Sequence, residues 1–419
     1  MRLLVARTGF GWLLAAGLVS LTGDWVMRVG LTYVVYELTG STLASATALM
    51  ASLVPQLVFG SLAGVYADRW DRRRTMVVTN LLLAAGLLPL LAVHDRHQVW
   101  IVYLVTAAQS ALSQFFIAAE AAVIPQLVPA ESLVAANALN GQARDVARLA
   151  GAALGGLTAA LGGLPLLAVV DIASFTLAAA LLLRLRTPAR DHERGTRPHV
   201  LRDWADGARV AAASPALRVV LLFVVITGVG EAVMGSLMAP FVRDVLHADA
   251  TRYGIIVAVQ AGGGIAGGLV AAAVGHRWPP RRIAGWGAVA FGVVDLALFL
   301  YPLVVDAWWP AAVIILLAGL PGALAIAGLL TVFQRHTTDA YRGRVFGAAN
   351  ALQAGAMLAG ATGAGLLGDR LGIVPVIAVQ GAGYCLAGAI VLVLLRPGKE
   401  PAAGVTSTVD TRPHVRPMS

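Results

Sequence analysis

Charge is scarce in this chain. Of its 419 residues only 13% are Asp, Glu, Lys or Arg, against about 25% in soluble domains, while 58% are hydrophobic. A water-soluble fold has no place for so much apolar surface, so the composition points to an integral membrane protein. Lys399 is the only lysine and Cys385 the only cysteine. The lone thiol excludes an intramolecular disulfide and any cysteine-built metal cluster. The lone lysine stands in Gly398-Lys399-Glu400, outside any Walker A pattern, so ATP is not used through a P-loop. His94, His97, His192, His199, His247, His276, His336 and His414 fall in loops or at the ends of apolar runs, with no H-E-x-x-H spacing. No catalytic residue, metal or cofactor is expected, and the chain does not read as an enzyme.

Twelve apolar runs of membrane length are present, at about 20 residues per span. They are Thr8–Tyr36, Leu43–Ala67, Thr75–Val93, Val99–Val123, Ala136–Leu161, Pro165–Leu185, Ala216–Phe241, Tyr253–Gly275, Ile283–Tyr301, Pro310–Phe333, Val345–Leu367 and Ile373–Leu395. The first is too long for a signal-peptide core. Alternate connections are rich in arginine, among them 69–74, 184–218, 277–282 and 335–344, together with both ends of the chain. The others hold only Arg96, Arg243, Arg252 and Arg370. By the rule that short basic loops stay inside, both termini are expected in the cytoplasm of a multi-pass cell-membrane protein. The net charge of +9 thus reflects topology, and no aromatic-interleaved basic groove suggests nucleic acid. The expected division is an N-terminal six-helix half (1–187), a cytoplasmic link (188–215), a C-terminal six-helix half (216–396) and a disordered tail (397–419). In the link, Val200, Trp204, Ala208 and Ala211 lie at helical spacing, which suggests an amphipathic helix over His199–Ala213.

The two halves repeat each other. Arg69-Trp70 and Arg73-Arg74 recur as Arg277-Trp278 and Arg281-Arg282. Thr22-Gly23 and Gly30 recur as Thr227-Gly228 and Gly235, pairing the first run with the seventh. Ala136-Asn137-Ala138-Leu139 and Leu149-Ala150-Gly151-Ala152 recur as Ala349-Asn350-Ala351-Leu352 and Leu358-Ala359-Gly360-Ala361, pairing the fifth with the eleventh. The predicted fold is all-α: twelve transmembrane helices in two pseudo-symmetric halves, an arrangement that places a transport site between repeats.

The turn after the second run, Gly64-Val65-Tyr66-Ala67-Asp68-Arg69-Trp70-Asp71-Arg72-Arg73-Arg74, resembles the signature loop G-x-L-A-D-R-x-G-R-R-R of the major facilitator superfamily. Tyr66 replaces the usual Leu and Asp71 the usual Gly. Ile124-Pro125-Gln126-Leu127-Val128-Pro129-Ala130-Glu131 and Arg342-Gly343-Arg344-Val345 resemble its twelve-helix drug and macrolide exporters. Gly151-Ala152-Ala153-Leu154-Gly155-Gly156 resembles the antiporter signature G-P-x-x-G-G, with Ala152 for proline; it reads equally as a small-residue packing face. Gly262-Gly263-Gly264-Ile265-Ala266-Gly267 satisfies G-x-G-x-x-G, but no strand precedes it. Close helix packing is the better account, as for Gly60/Gly64 and Gly264/Gly268.

Ionisable residues within the runs are Asp24, Arg28, Arg144, Asp145, Arg148, Asp171, Glu231 and Asp295. The resemblance puts the first and seventh runs on a central cavity, which makes Asp24, Arg28 and Glu231 the candidates for proton coupling. Asp171 and Asp295 fall on peripheral helices and are expected to be structural; Arg144, Asp145 and Arg148 are expected to satisfy one another. The resemblance also implies an inner gate formed by Gly64, Asp68, Arg69, Arg72, Arg73, Arg342 and Arg344. Trp25, Tyr33, Gln109, Gln114, Phe115, Met234 and Met238 are candidates to line the cavity, an apolar set suited to adaptable contacts. The implied function is proton-coupled export of amphipathic small molecules such as drugs, antibiotics or natural products, by a monomer whose partners are substrate, protons and the lipid bilayer. Alternatives are a lipid, lysophospholipid or siderophore-type metabolite transporter of the same fold, and a non-transporting scaffold or sensor.

Overall fold

The computed structural model describes residues 9–67, 70–185, 209–210, 212–274, 277–337 and 339–395. Every regular element among them is helical. Helix α1 (Phe10–Thr39) stops at Gly40, whose left-handed φ of 62° returns its N–H to the Tyr36 carbonyl at 2.8 Å. Helix α2 (Thr42–Ala67) leads to the basic turn. Asp71 opens α3 (Arg72–Gly86) by accepting the Arg74 N–H at 2.7 Å, so the residue that departs from the signature loop caps the next helix. Pro89 then tightens the chain into a 3-10 turn, Leu88–Ala92, before α4 (Val99–Leu127).

The following helix, Leu133–Leu182, breaks at Gly163 (φ 57°, ψ −149°), a conformation without steric cost only for glycine. It is therefore two helices, α5 (133–162) and α6 (164–182). In the second half come α7 (Pro215–Pro240), extended by a π turn at Phe241–Val245, α8 (Ala250–Val274), α9 (Pro280–Leu300) and α10 (Trp309–Arg335). They are followed by α11 (Asp339–Leu371) and α12 (Ile373–Leu394), the latter in two pieces, Ile373–Ile377 and Val379–Leu394. Among the described residues eleven helical segments are long and apolar enough to cross a membrane, and the break at Gly163 makes twelve spans. Helix α11 outlasts its apolar run at both ends and stops only at Gly372, where φ reaches 87°. The expected amphipathic helix and tail fall almost wholly outside the described residues.

Packing repeats between halves. In the first, α1 lies against α5 and α6, α2 against α4, and α3 against α4 and α6. In the second, α7 lies against α11 and α12, α8 against α10, and α9 against α10 and α12. The halves meet along α5–α8 and α2–α11, as the repeated sequence anticipates.

Glycine sets the closest approaches. The G-P-x-x-G-G-like segment fits three helices together. A Cβ on Gly151 would lie 2.6 Å from the Thr22 carbonyl oxygen of α1, one on Gly155 2.7 Å from that of Val26, and one on Gly156 2.3 Å from that of Ala250 on α8. The packing expectation for the α8 glycines needs correcting in phase. Gly263 and Gly267 press on α10 at Leu316 and Gly319, whereas Gly264 and Gly268 face open space. Neighbouring helical residues are about 100° apart, so only one glycine of each adjacent pair can face α10. Gly60 meets only the end of the Gln114 side chain, and the side chains of 64–69 lie outside the described set.

Candidate functional site

Two polar layers cross the apolar interior, one in each half. In the first, α1 presents a half-buried or exposed stripe at helical spacing: Leu18, Leu21, Trp25, Arg28 and Thr32. Asp24 lies beside it, half-buried. Across α1, Gly23 admits α6 so closely that an added Cβ would meet Asp171 Oδ1 at 2.4 Å. Asp171, 2% exposed, accepts the Ser174 hydroxyl at 3.0 Å and interacts electrostatically with Asp24. Asp171, expected to be structural, thus lies within electrostatic range of Asp24, because the small residue beside Asp24 lets α6 approach.

Arg28 interacts electrostatically with Asp24, but their side chains are not within ion-pair distance. Its guanidinium instead lies over the Trp25 indole, 5.1 Å from the ring centre, and Arg148 of α5 lies over the same indole at 5.6 Å. The expectation that Arg144, Asp145 and Arg148 satisfy one another fails at Arg144. Its partner is Glu120, a buried acid on α4. Contact across helices overrides sequence proximity here, since neighbours on α5 point in different directions. Glu120 carried a sequence signal that went unused, an acid inside the fourth apolar run near its end.

In the second half, Glu231 accepts the Tyr384 hydroxyl of α12 at 3.0 Å and the Gln353 amide of α11 at 3.3 Å. Tyr384 is held by the rings of Phe291, at 4.5 Å, and Phe223, at 6.2 Å edge-on. Asp295, 2% exposed on α9, interacts electrostatically with Tyr384, and its Oδ2 has no hydrogen-bond partner. Tyr384 and Gln353 carry no sequence signal that marks them in advance.

The candidate cavity residues divide. Trp25 and Met234 are half-buried on α1 and α7. Met238 packs into the core at 4% exposure, and Tyr33 is buried at the junction of the halves. Gln109 turns to α3, donating to the Leu83 carbonyl at 2.8 Å. That carbonyl is left over because the last turn of α3 tightens, sending the Leu87 N–H to Ala84 and Ala85 instead. Gln114 hydrogen-bonds within α4 to the Ser110 carbonyl at 3.3 Å, and Phe115 stacks with Trp70, ring centres 6.1 Å apart.

At the end of the bundle marked by Gly40, hydrogen bonds join the two halves. The Tyr36 hydroxyl donates to the Asp244 carboxylate, and Arg243 donates to the Tyr36 carbonyl at 3.4 Å. Tyr33 donates to the Ala248 carbonyl at 3.1 Å and packs its ring on Tyr253 at 5.8 Å. Asp369, at the end of α11, accepts the Thr42 N–H at 3.1 Å and the Ser41 hydroxyl at 3.3 Å, holding the start of α2. The tight contacts of Gly156 with α8 and of Gly365 and Gly368 with α2 lie at this end too. At the opposite end, the candidate gate residue Arg72 donates to the Ala122 carbonyl at 2.6 Å and Arg73 to the Leu182 carbonyl at 3.2 Å, both within the first half. Arg344 lies over the Tyr341 ring at 5.6 Å. Asp68 and Arg69, the surroundings of Gly64 and the side chain of Arg342 lie outside the described set.

This layout has known relatives. Residues 5–415 match the family model described as transmembrane secretion effector. The chain is 24% identical to macrolide efflux protein A of Streptococcus pyogenes, over 85% of this chain and 88% of that protein. It is also 24% identical to the multidrug efflux pump Tap of Mycobacterium bovis, over 86% and 87%. A bacterial homologue of the iron transporter ferroportin, solved in its inward-facing state, superimposes with a TM-score of 0.74 at 16% identity, covering 92% of this chain and 98% of that one. Full-length sequence match and shared helix packing agree: this chain belongs to the transmembrane secretion effector family of the major facilitator superfamily.

Proposed function

We propose that this protein exports amphipathic small molecules, of the kind its efflux relatives are named for, by proton-driven alternating access. The observation that carries the reading is the closure between the halves at the Gly40 end. Hydrogen bonds and glycine contacts join the halves there. With the arginine-rich connections inside, the Gly40 end faces out and is the closed end of this conformation. Rocking of the halves would break the Tyr36, Tyr33 and Asp369 contacts and close the cytoplasmic end, where Gly64, Asp68, Arg69, Arg72, Arg73, Arg342 and Arg344 form the gate.

Asp24 and Glu231 are the proposed proton carriers, one in each half, with Arg28 modulating Asp24. One proton moving down about 100 mV supplies roughly 2.3 kcal/mol, enough for about a 50-fold gradient of a neutral substrate. The test is Asp24→Asn in everted vesicles. Coupling predicts that substrate-induced proton release and uphill export vanish while substrate binding survives. Retained proton-driven export would eliminate Asp24 and leave Glu231→Gln to be examined.

A further inference from the structure

An arginine within a membrane span is costly unless it meets water, a counter-charge or a polar partner. Arg28 is exposed in the interior of α1, on the stripe that also holds Trp25, and Arg148 is half-buried on the adjoining face of α5. Both guanidinium groups lie over one indole, at 5.1 and 5.6 Å from its centre, and they repel each other. Among the described residues neither makes an ion pair or a side-chain hydrogen bond. The nearby Arg144 pairs with Glu120, while Asp24 and Asp145 act on the two arginines only from beyond ion-pair distance. Gly151 sets the geometry: a Cβ there would lie 2.5 Å from the Trp25 Cβ, so the backbones of α1 and α5 stay close enough for one ring to serve both cations.

Two like charges held together with unused donors, against an aromatic face and within the length of a membrane span, form a receptor for an anion. Guanidinium groups match the planar donor demand of a carboxylate, sulfate or phosphate, and stacking on the indole fixes their planes. We propose that Trp25, Arg28 and Arg148 bind the anionic head group of an amphipathic cargo, whose apolar part lies along the half-buried aliphatic residues of the α1 stripe, Leu18 and Leu21. This deepens the export reading by naming the charge of the cargo, and it rests on that reading only in calling the occupant cargo. The carboxyl group of a fatty or aromatic acid and the phosphate of a lysolipid share this chemistry.

The test is equilibrium binding to the full chain in nanodiscs, with empty discs subtracted, using octanoate, octanamide, octylammonium and inorganic phosphate. Octanoate should bind at least about tenfold more tightly than octanamide, the gain expected from one charge-assisted hydrogen bond, and octylammonium most weakly. Arg28→Gln and Arg148→Gln should each erase the preference of octanoate over octanamide, while Arg148→Lys, which keeps charge but not planarity, should retain part of it. Equal affinity for the three octyl probes in the wild-type chain would overturn the proposal whether or not the variants fold. Phosphate binding as tightly as octanoate would overturn the amphipathic occupant in favour of a free anion. A preference for octanoyl lysophosphatidic acid over octanoate would support the same site with a lipid source. Export of neutral compounds alongside equal octyl affinities would sink the anion site and leave the export reading; octanoate selectivity without any export would do the reverse.

Discussion

Tyr36→Phe removes a single oxygen from the contact between the halves. In the structure that hydroxyl donates to Asp244, while Arg243 lies over the same ring and bonds the Tyr36 backbone. The ring and the backbone bond survive the substitution, so the change isolates one hydrogen bond to a charged acceptor, worth about 1.5–3 kcal/mol. If the bond exists only while the Gly40 end is closed, its loss shifts the equilibrium towards opening of that end by about 10- to 150-fold. Spin labels at Glu37→Cys and Arg370→Cys, both exposed at this end and in different halves, report the separation in a Cys385→Ser background. Pulsed dipolar spectroscopy should show a longer-distance population growing in Tyr36→Phe. Asp244→Asn should have a smaller effect, and the double variant should show non-additivity. An unchanged distance distribution in Tyr36→Phe would refute the idea that this bond holds the end closed.

The packing and ion-pair assignments yield two stability tests in a solubilised sample. Gly263→Ala places a methyl against the Leu316 carbonyl oxygen of α10, at 2.7 Å, and should destabilise by about 1–3 kcal/mol, whereas Gly264→Ala, which faces open space, should be nearly neutral; thermal melts that fail to separate the two would contradict the packing. Glu120→Gln leaves Arg144 without its counter-charge and should lower stability by less than the about 3–5 kcal/mol of a fully buried pair, because the Arg144 side chain keeps 42% exposure. Adding Arg144→Gln should recover part of the loss, and no recovery would mean that the pair is not the interaction lost.

The architecture was legible because each of its determinants is local in the sequence. Span length, the arginine-rich turns and the identical tetrads at Ala136/Ala349 and Leu149/Leu358 are all readable one stretch at a time. Gly151 and Gly360, paired by that repeat, occupy equivalent places: each sits against the backbone of the first helix of its half, at Thr22 and Val229. What could not be read was rotation about a helix axis. Three consecutive glycines at 262–264 give no sign of which meets α10, and Gln109 looks as suited to a cavity as to the Leu83 carbonyl it serves. Partnerships between helices were equally hidden. Glu120 and Arg144 are 24 residues apart, and Asp171 reaches Asp24 only because α6 closes on Gly23. The Tyr36–Asp244 contact spans 208 positions and depends on how the halves are tilted.

The claim that ties these parts together is that proton influx drives substrate out. It is tested most directly by purifying the full chain, reconstituting it into proteoliposomes with a compound to which its expression confers resistance, and imposing a pH gradient alone. The account predicts accumulation of compound above its external concentration on the acidic side, collapse of that accumulation on adding a protonophore, and proton movement in the opposite direction in step with it. Equilibration that stops at equal concentrations with the gradient intact would contradict proton-driven export.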